Sequence, residues 1–182
     1  MDSITISGTE IKFTFEDAEV LEVKSFLKSD VQGDGSVSGG IGSLSVDTKH
    51  SMINRIWVKT SNGNETLLEL GDITLRKGQK IRIIYASTDE TAPVLSLIVN
   101  QSAGEHWYPC NANKLLMHFG IDKTMQSIVI ATLIALIGFS LGGLGIVIAA
   151  VIILYGYKVQ SSKLADSKKL APFMESLAQK SY

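Results

Sequence analysis

The sequence predicts a mainly β N-terminal domain, a small antiparallel barrel or sandwich of SH3-like or OB-like size, followed by a C-terminal α-helical transmembrane segment. Three observations predict it. Apolar and polar residues alternate at period two in several short runs within residues 1–110, the mark of strands with one buried face. Turn-forming residues separate those runs at short intervals. Between Lys123 and Lys158 lie 34 residues without one Asp, Glu, Lys, Arg or His, well beyond the roughly 18 apolar residues that read as a membrane span.

In chain order, Ile11, Phe13 and Phe15 alternate with Lys12, Thr14 and Glu16 and predict a first strand; Leu21, Val23 and Leu27 predict a second. Residues 32–43 are so rich in glycine and serine that a flexible loop is expected. Asp30, Gln32, Asp34 and Gly35 have calcium-loop spacing, but Ile41 stands where the bidentate glutamate belongs, so the plain loop is preferred. Runs at 55–60 and 65–70 flank Asn62-Gly63 and predict a β-hairpin closed by a type I′ turn. A second hairpin is expected from 73–75 through 76–79 to 80–85, with Ile81, Ile83 and Tyr85 on one side and Lys80 and Arg82 on the other. Residues 94–99 and 105–108 predict a third, and 113–119 a helical entry into the membrane.

Trp57, then Asn62-Gly63, then the run Leu75-Arg-Lys-Gly-Gln-Lys-Ile-Arg-Ile83, then a hydrophobic span make a succession that resembles a loose group of uncharacterised bacterial membrane proteins. The resemblance covers about residues 43–108 and the general layout. It implies a small β-domain on a C-terminal membrane segment, and brings no activity or site residues.

Composition narrows the function classes. Cys110 is the only cysteine, so no internal disulfide forms and a reducing compartment is the easier expectation. The first ten residues show neither the basic nor the apolar region of a cleaved signal peptide. His50, His106 and His118 have no metal-ligand spacing, and no phosphate-binding, serine-hydrolase or zinc-protease motif occurs. No metal or cofactor is expected. A His106–Cys110 pair would need an orienting third group to act as a nucleophile, so Cys110 is read as inert filling and enzymatic function is disfavoured.

Arg76, Lys77, Lys80 and Arg82 form the one basic cluster of the first 123 residues. A solvated face is preferred, then contact with anionic lipid headgroups, then single-stranded nucleic acid. Nucleic acid ranks last because residues 1–123 carry 12 basic against 16 acidic side chains.

As one helix, the uncharged run would be roughly 51 Å long, about 20 Å beyond the hydrocarbon thickness. A turn at Gly142-Gly143 would divide residues 124–157 into two helices of roughly 27 and 21 Å. Lys123 precedes the run, and Lys158, Lys163, Lys168 and Lys169 follow it. By the positive-inside tendency a helical hairpin keeps the head and the basic tail together on the cytoplasmic side, and it is preferred over one long helix. Ala131, Ala135, Gly138, Gly142, Gly145 and Ala149 are spaced 4, 3, 4, 3, 4. Such a small-residue seam lets helices pack closely in lipid, within a hairpin or between copies.

In residues 158–182, Leu170, Phe173, Met174 and Leu177 recur at i, i+3, i+4, i+7. They predict a short amphipathic helix, interrupted near Pro172, lying on the membrane or on a partner. The expected function is that of an inner-membrane protein whose cytoplasmic β-domain is an interaction or sensing module for a protein partner, assembled into homo-oligomers. An oligomeric pore-forming or membrane-disrupting effector is the alternative, and a membrane-tethered enzyme the third.

Overall fold

Asp2–Ile6 (β1) turns through Ser7-Gly8 into Thr9–Ser38 (β2), with Ile6 opposite Thr9. Both turn residues take positive φ, 48° and 85°, as a type I′ turn requires. The remaining elements are Ile41–Thr60 (β3), Glu65–Leu70 (β4), Lys80–Ser87 (β5), Val94–Asn100 (β6), Glu105–Trp107 (β7), Ala112–His118 (α1) and Leu144–Lys180 (α2). The computed structural model describes residues 2–38, 41–71, 73–121 and 144–182.

All strand pairs are antiparallel and belong to one seven-stranded sheet, in the order β4-β3-β2-β5-β6-β7 with β1 also on β2. The mainly β antiparallel character is as the sequence predicts. Among the described residues the path does not return to its first strand, so a single open sheet stands where a barrel or two-sheet sandwich was expected. The two expected N-terminal strands are one, β2, bent at a bulge where Val20 pairs Val58 and Glu22 pairs Trp57, leaving Leu21 extra. That one-residue insertion brings Val20 and Val23 to the same face despite their odd separation.

Each face of the sheet has its own core. On one, Val20, Ile56, Val58, Leu68, Leu70, Ile81, Ile83 and Ile98 pack with Ile73 and Leu75. Residues 73–75 belong to no strand, so the second expected hairpin lacks its first strand. The buried amide of Asn54 donates to the carbonyls of Gly71 and Ile73 at 3.0 Å each and holds that segment without a ladder. On the opposite face, Ile6, Ile11, Phe13, Ile84, Ala86, Leu97 and Val99 are covered by α1 and α2.

The Asn62-Gly63 hairpin forms with a different turn. Gly63 alone has positive φ, 83°, and Thr60 N donates to Asn64 O at 2.8 Å. This is the three-residue loop with glycine in the left-handed position, not the tight type I′ turn. The expected flexible loop at 32–43 is likewise corrected: beyond the bulge at Leu21, β2 and β3 stay paired in register from Glu22↔Trp57 to Ser38↔Ile41. A ladder begun at the buried Val20–Val58 pair continues past residues of weak strand propensity, because propensity yields to pairing context.

α2 is a single helix of 37 residues, about 55 Å long, and it runs through Pro172 without the expected interruption. Pro172 and Lys168, whose carbonyl loses its helical donor, are both exposed, so water can serve that carbonyl. Leu170, Met174, Leu177 and Ala178 are buried beside them, which offsets the cost of the proline.

Candidate functional site

Two stretches far apart in sequence meet on the helix-covered face. α1 is capped by Asn111, whose side chain accepts from Lys114 N at 3.1 Å. It buries Ala112, Leu115 and Leu116 against the sheet, where 113–119 was expected to enter a membrane. The apolar stripe of α2 joins the same core, with Phe173 against Phe13 at a ring separation of 5.5 Å. The tail thus finds its partner in its own β-domain.

A polar latch closes the far end of this contact. Tyr108, just past β7, donates from its hydroxyl to Glu175 Oε2 at 2.6 Å, and His106 Nε2 lies 3.3 Å from the same oxygen. His106 Nδ1 is 2.7 Å from the Tyr182 hydroxyl. Gln101 donates to the carbonyl of Ser181 at 3.0 Å. Ser7 donates to Asp166 at 2.7 Å, and Lys180 reaches Asp2 at 3.7 Å. The Tyr108 and Gln179 hydrogen bonds hold the Glu175 carboxyl below its usual range, while burial and the carboxylate push the Tyr108 phenol well up. The latch therefore favours a neutral phenol beside a charged carboxylate.

The basic cluster divides. Arg82 gives both of its hydrogen bonds to Asp17, at 2.6 and 3.0 Å, and Lys80 stands in register opposite Glu19. Lys80 lines a cleft of about 550 Å³ with Asp17, Glu19, Lys59, Thr60, Ser61 and Gln101, so carboxylates share whatever enters it. Arg76 and Lys77 are exposed on the turn closed by Gly78. The four cations make no continuous basic track.

Cys110 is half-buried against the helix-covered core, and burial pushes its thiol up, away from a reactive thiolate. His106, the base that a disfavoured Cys–His pair would need, is engaged by Tyr182 and Glu175. Among the described residues no group of three His, Cys, Asp or Glu is placed to hold a metal ion, and no helix is long and apolar enough to cross a membrane. Ala131, Ala135, Gly138 and Gly142, with the expected turn at Gly142-Gly143, lie outside the described residues; Gly145 and Ala149 fall in the first turns of α2.

Sequence reasoning missed the latch. His106 carries meaning in the sequence only as a metal ligand or as a partner for Cys110, while Tyr108, Glu175 and Tyr182 carry no motif. The available signal was the Leu170, Phe173, Met174, Leu177 stripe, which required an apolar surface somewhere to cover it. Compared with known family models, curated proteins and solved structures, the chain matches none.

Proposed function

We propose that the chain is an integral membrane protein whose β-domain is an interaction or sensing module held at the bilayer by residues 124–157. The observation that carries this reading is that both flanks of the uncharged run are fixed to one face of one sheet. Leu115 and Leu116 precede the run, Leu170, Met174 and Leu177 follow it, and all five share a core. A segment that leaves and returns to the same body enters a bilayer as a hairpin, since a single span would carry the tail away from the sheet. The 34 uncharged residues are enough for two short helices.

Lys158, Lys168 and Lys169 favour placing the β-domain and tail in the cytoplasm, at the inner membrane of a bacterial cell. The seam from Ala131 to Ala149 favours close helix packing, within the hairpin and between copies in a homo-oligomer. The β-domain then presents its strands to a partner near the bilayer surface.

The test uses the full chain expressed in a bacterial host, with Cys110→Ser and a single new thiol from Ser3→Cys or Ser162→Cys. Both thiols should resist an impermeant maleimide in intact spheroplasts and react in inverted vesicles. Labelling of only one of them in spheroplasts would refute the hairpin, and extraction of the protein by alkaline carbonate would refute membrane insertion.

A further inference from the structure

Beyond the sheet, β2 and β3 continue together as a two-stranded arm. β5 leaves β2 at Glu19 and β4 leaves β3 at Asn54, whereas the β2–β3 ladder runs on to Ser38 and Ile41. The register sorts its side chains into two unlike faces. One carries Val23, Ser25, Leu27, Ser29, Val31 and Gly33 from β2 and Val46, Thr48, His50, Met52, Asn54 and Ile56 from β3, with no Asp, Glu, Lys or Arg. The other mixes Glu22, Lys24, Lys28, Asp30, Asp47, Lys49 and Arg55 with Phe26, Ile53 and Trp57. On the uncharged face Leu27 is 69% exposed, Val31 64%, Val46 58% and Met52 56%.

We infer that this uncharged face binds the same face of a second copy of the chain. It is continuous with a buried core, since Val23 and Ile56 at its base pack among the residues under Ile73 and Leu75. A two-stranded ribbon is marginal alone in water, and a second apolar layer is what stabilises it. The arm beyond residue 23 is about 50 Å long and about 10 Å wide, so two stacked arms cover on the order of 1,000 Å² in all, the lower bound for a specific interface. A face without Asp, Glu, Lys or Arg meets itself about a two-fold axis with none of their like-charge repulsion, and isologous pairing needs only this one surface. Lipid is the poorer occupant, because among the described residues no strand pairs with either outer edge of the arm, and a bilayer cannot satisfy backbone groups left open in this way. The inference stands on the arm alone and not on the membrane hairpin.

The experiment measures the mass of the full chain in detergent by light scattering, with circular dichroism as the check on folding. Leu27→Asp with Val31→Asp and Met52→Asp alters only exposed side chains and should halve the mass. Lys28→Glu with Lys49→Glu, on the charged face, should leave it unchanged. An environment-sensitive dye on Val31→Cys in the Cys110→Ser background should emit to the blue in the associated protein and shift to the red on dilution. A monomeric parent chain, or an unchanged mass in the triple Asp variant, overturns the inference. Loss of mass on Gly138→Leu with Gly142→Leu but not on the arm changes overturns it while leaving the seam reading intact. A blue shift that appears only when anionic vesicles are added overturns it in favour of a lipid surface.

Discussion

Tyr108 and Glu175 are joined by a 2.6 Å hydrogen bond across 67 residues of sequence, from the end of the last strand to the C-terminal helix. Tyr108→Phe keeps the ring and removes the donor, and should lower stability by about 0.5–1 kcal/mol, because the carboxylate side is exposed. Glu175→Gln should cost a similar amount. Urea unfolding of both single variants and the double variant gives the coupling. The double change should cost clearly less than the two single costs added; simple additivity would mean that the pair is not coupled.

The same pair sets a pH window. Glu175 is depressed when folded, so its contribution is present above the ordinary value of 4.5 and is lost as pH falls through the folded value. Tyr108 is raised when folded, so its contribution is complete below the ordinary value of 10.0 and is lost as pH rises toward the folded one. Cys110 is also raised by burial, from 9.0, and its loss begins first on the alkaline side. Hydrogen exchange of residues 170–180 in a Cys110→Ser background should therefore show steady protection between these limits and faster exchange beyond either. Tyr108→Phe should soften the alkaline limb, and an unaltered limb would assign it to Tyr85 and Tyr182, whose phenols burial also raises.

Apolar docking should outweigh the polar latch. Leu177 is buried in the helix–sheet core, and Leu177→Ala should cost about 2–4 kcal/mol. Leu164 on the same helix is more than half exposed, and Leu164→Ala should change stability by under about 0.5 kcal/mol. Limited proteolysis within residues 160–182 should accelerate for the first variant alone. Equal acceleration for both would mean that the helix is not held by its stripe.

What the sequence disclosed follows from where the physics is local. Ile11 and Phe13, Ile81 and Ile83, and the paired runs at 94–99 and 105–108 announced strands because period-two alternation is written residue by residue. The bulge at Leu21 was hidden because it interrupts that period at one position. β1 was hidden because its turn places Ser7, not glycine or asparagine, at positive φ. Residues 32–43 misled because glycine and serine weaken a strand locally, whereas the ladder is inherited from the Val20–Val58 pair. The stripe on α2 was legible, but its partner was not, since nothing in Leu170 or Met174 encodes that they share a core with Ile84 and Leu97.

The division of the basic cluster yields the last prediction. Cations near an anionic bilayer gain about 1 kcal/mol each, roughly fivefold in partitioning, only while they are free to approach it. Arg76 and Lys77 are exposed on their turn, whereas Arg82 is committed to Asp17. In flotation with vesicles containing anionic lipid, Arg76→Gln and Lys77→Gln should each weaken any surface association of the β-domain by roughly fivefold at low salt, and the effect should fade as salt screens it. Arg82→Gln should leave vesicle binding nearly unchanged and instead lower stability, by about 0.5–1 kcal/mol, because it strands Asp17 beside the cleft. If Arg82→Gln weakens flotation as much as Lys77→Gln does, the Asp17 pair opens at a membrane surface and the cluster acts as one patch after all.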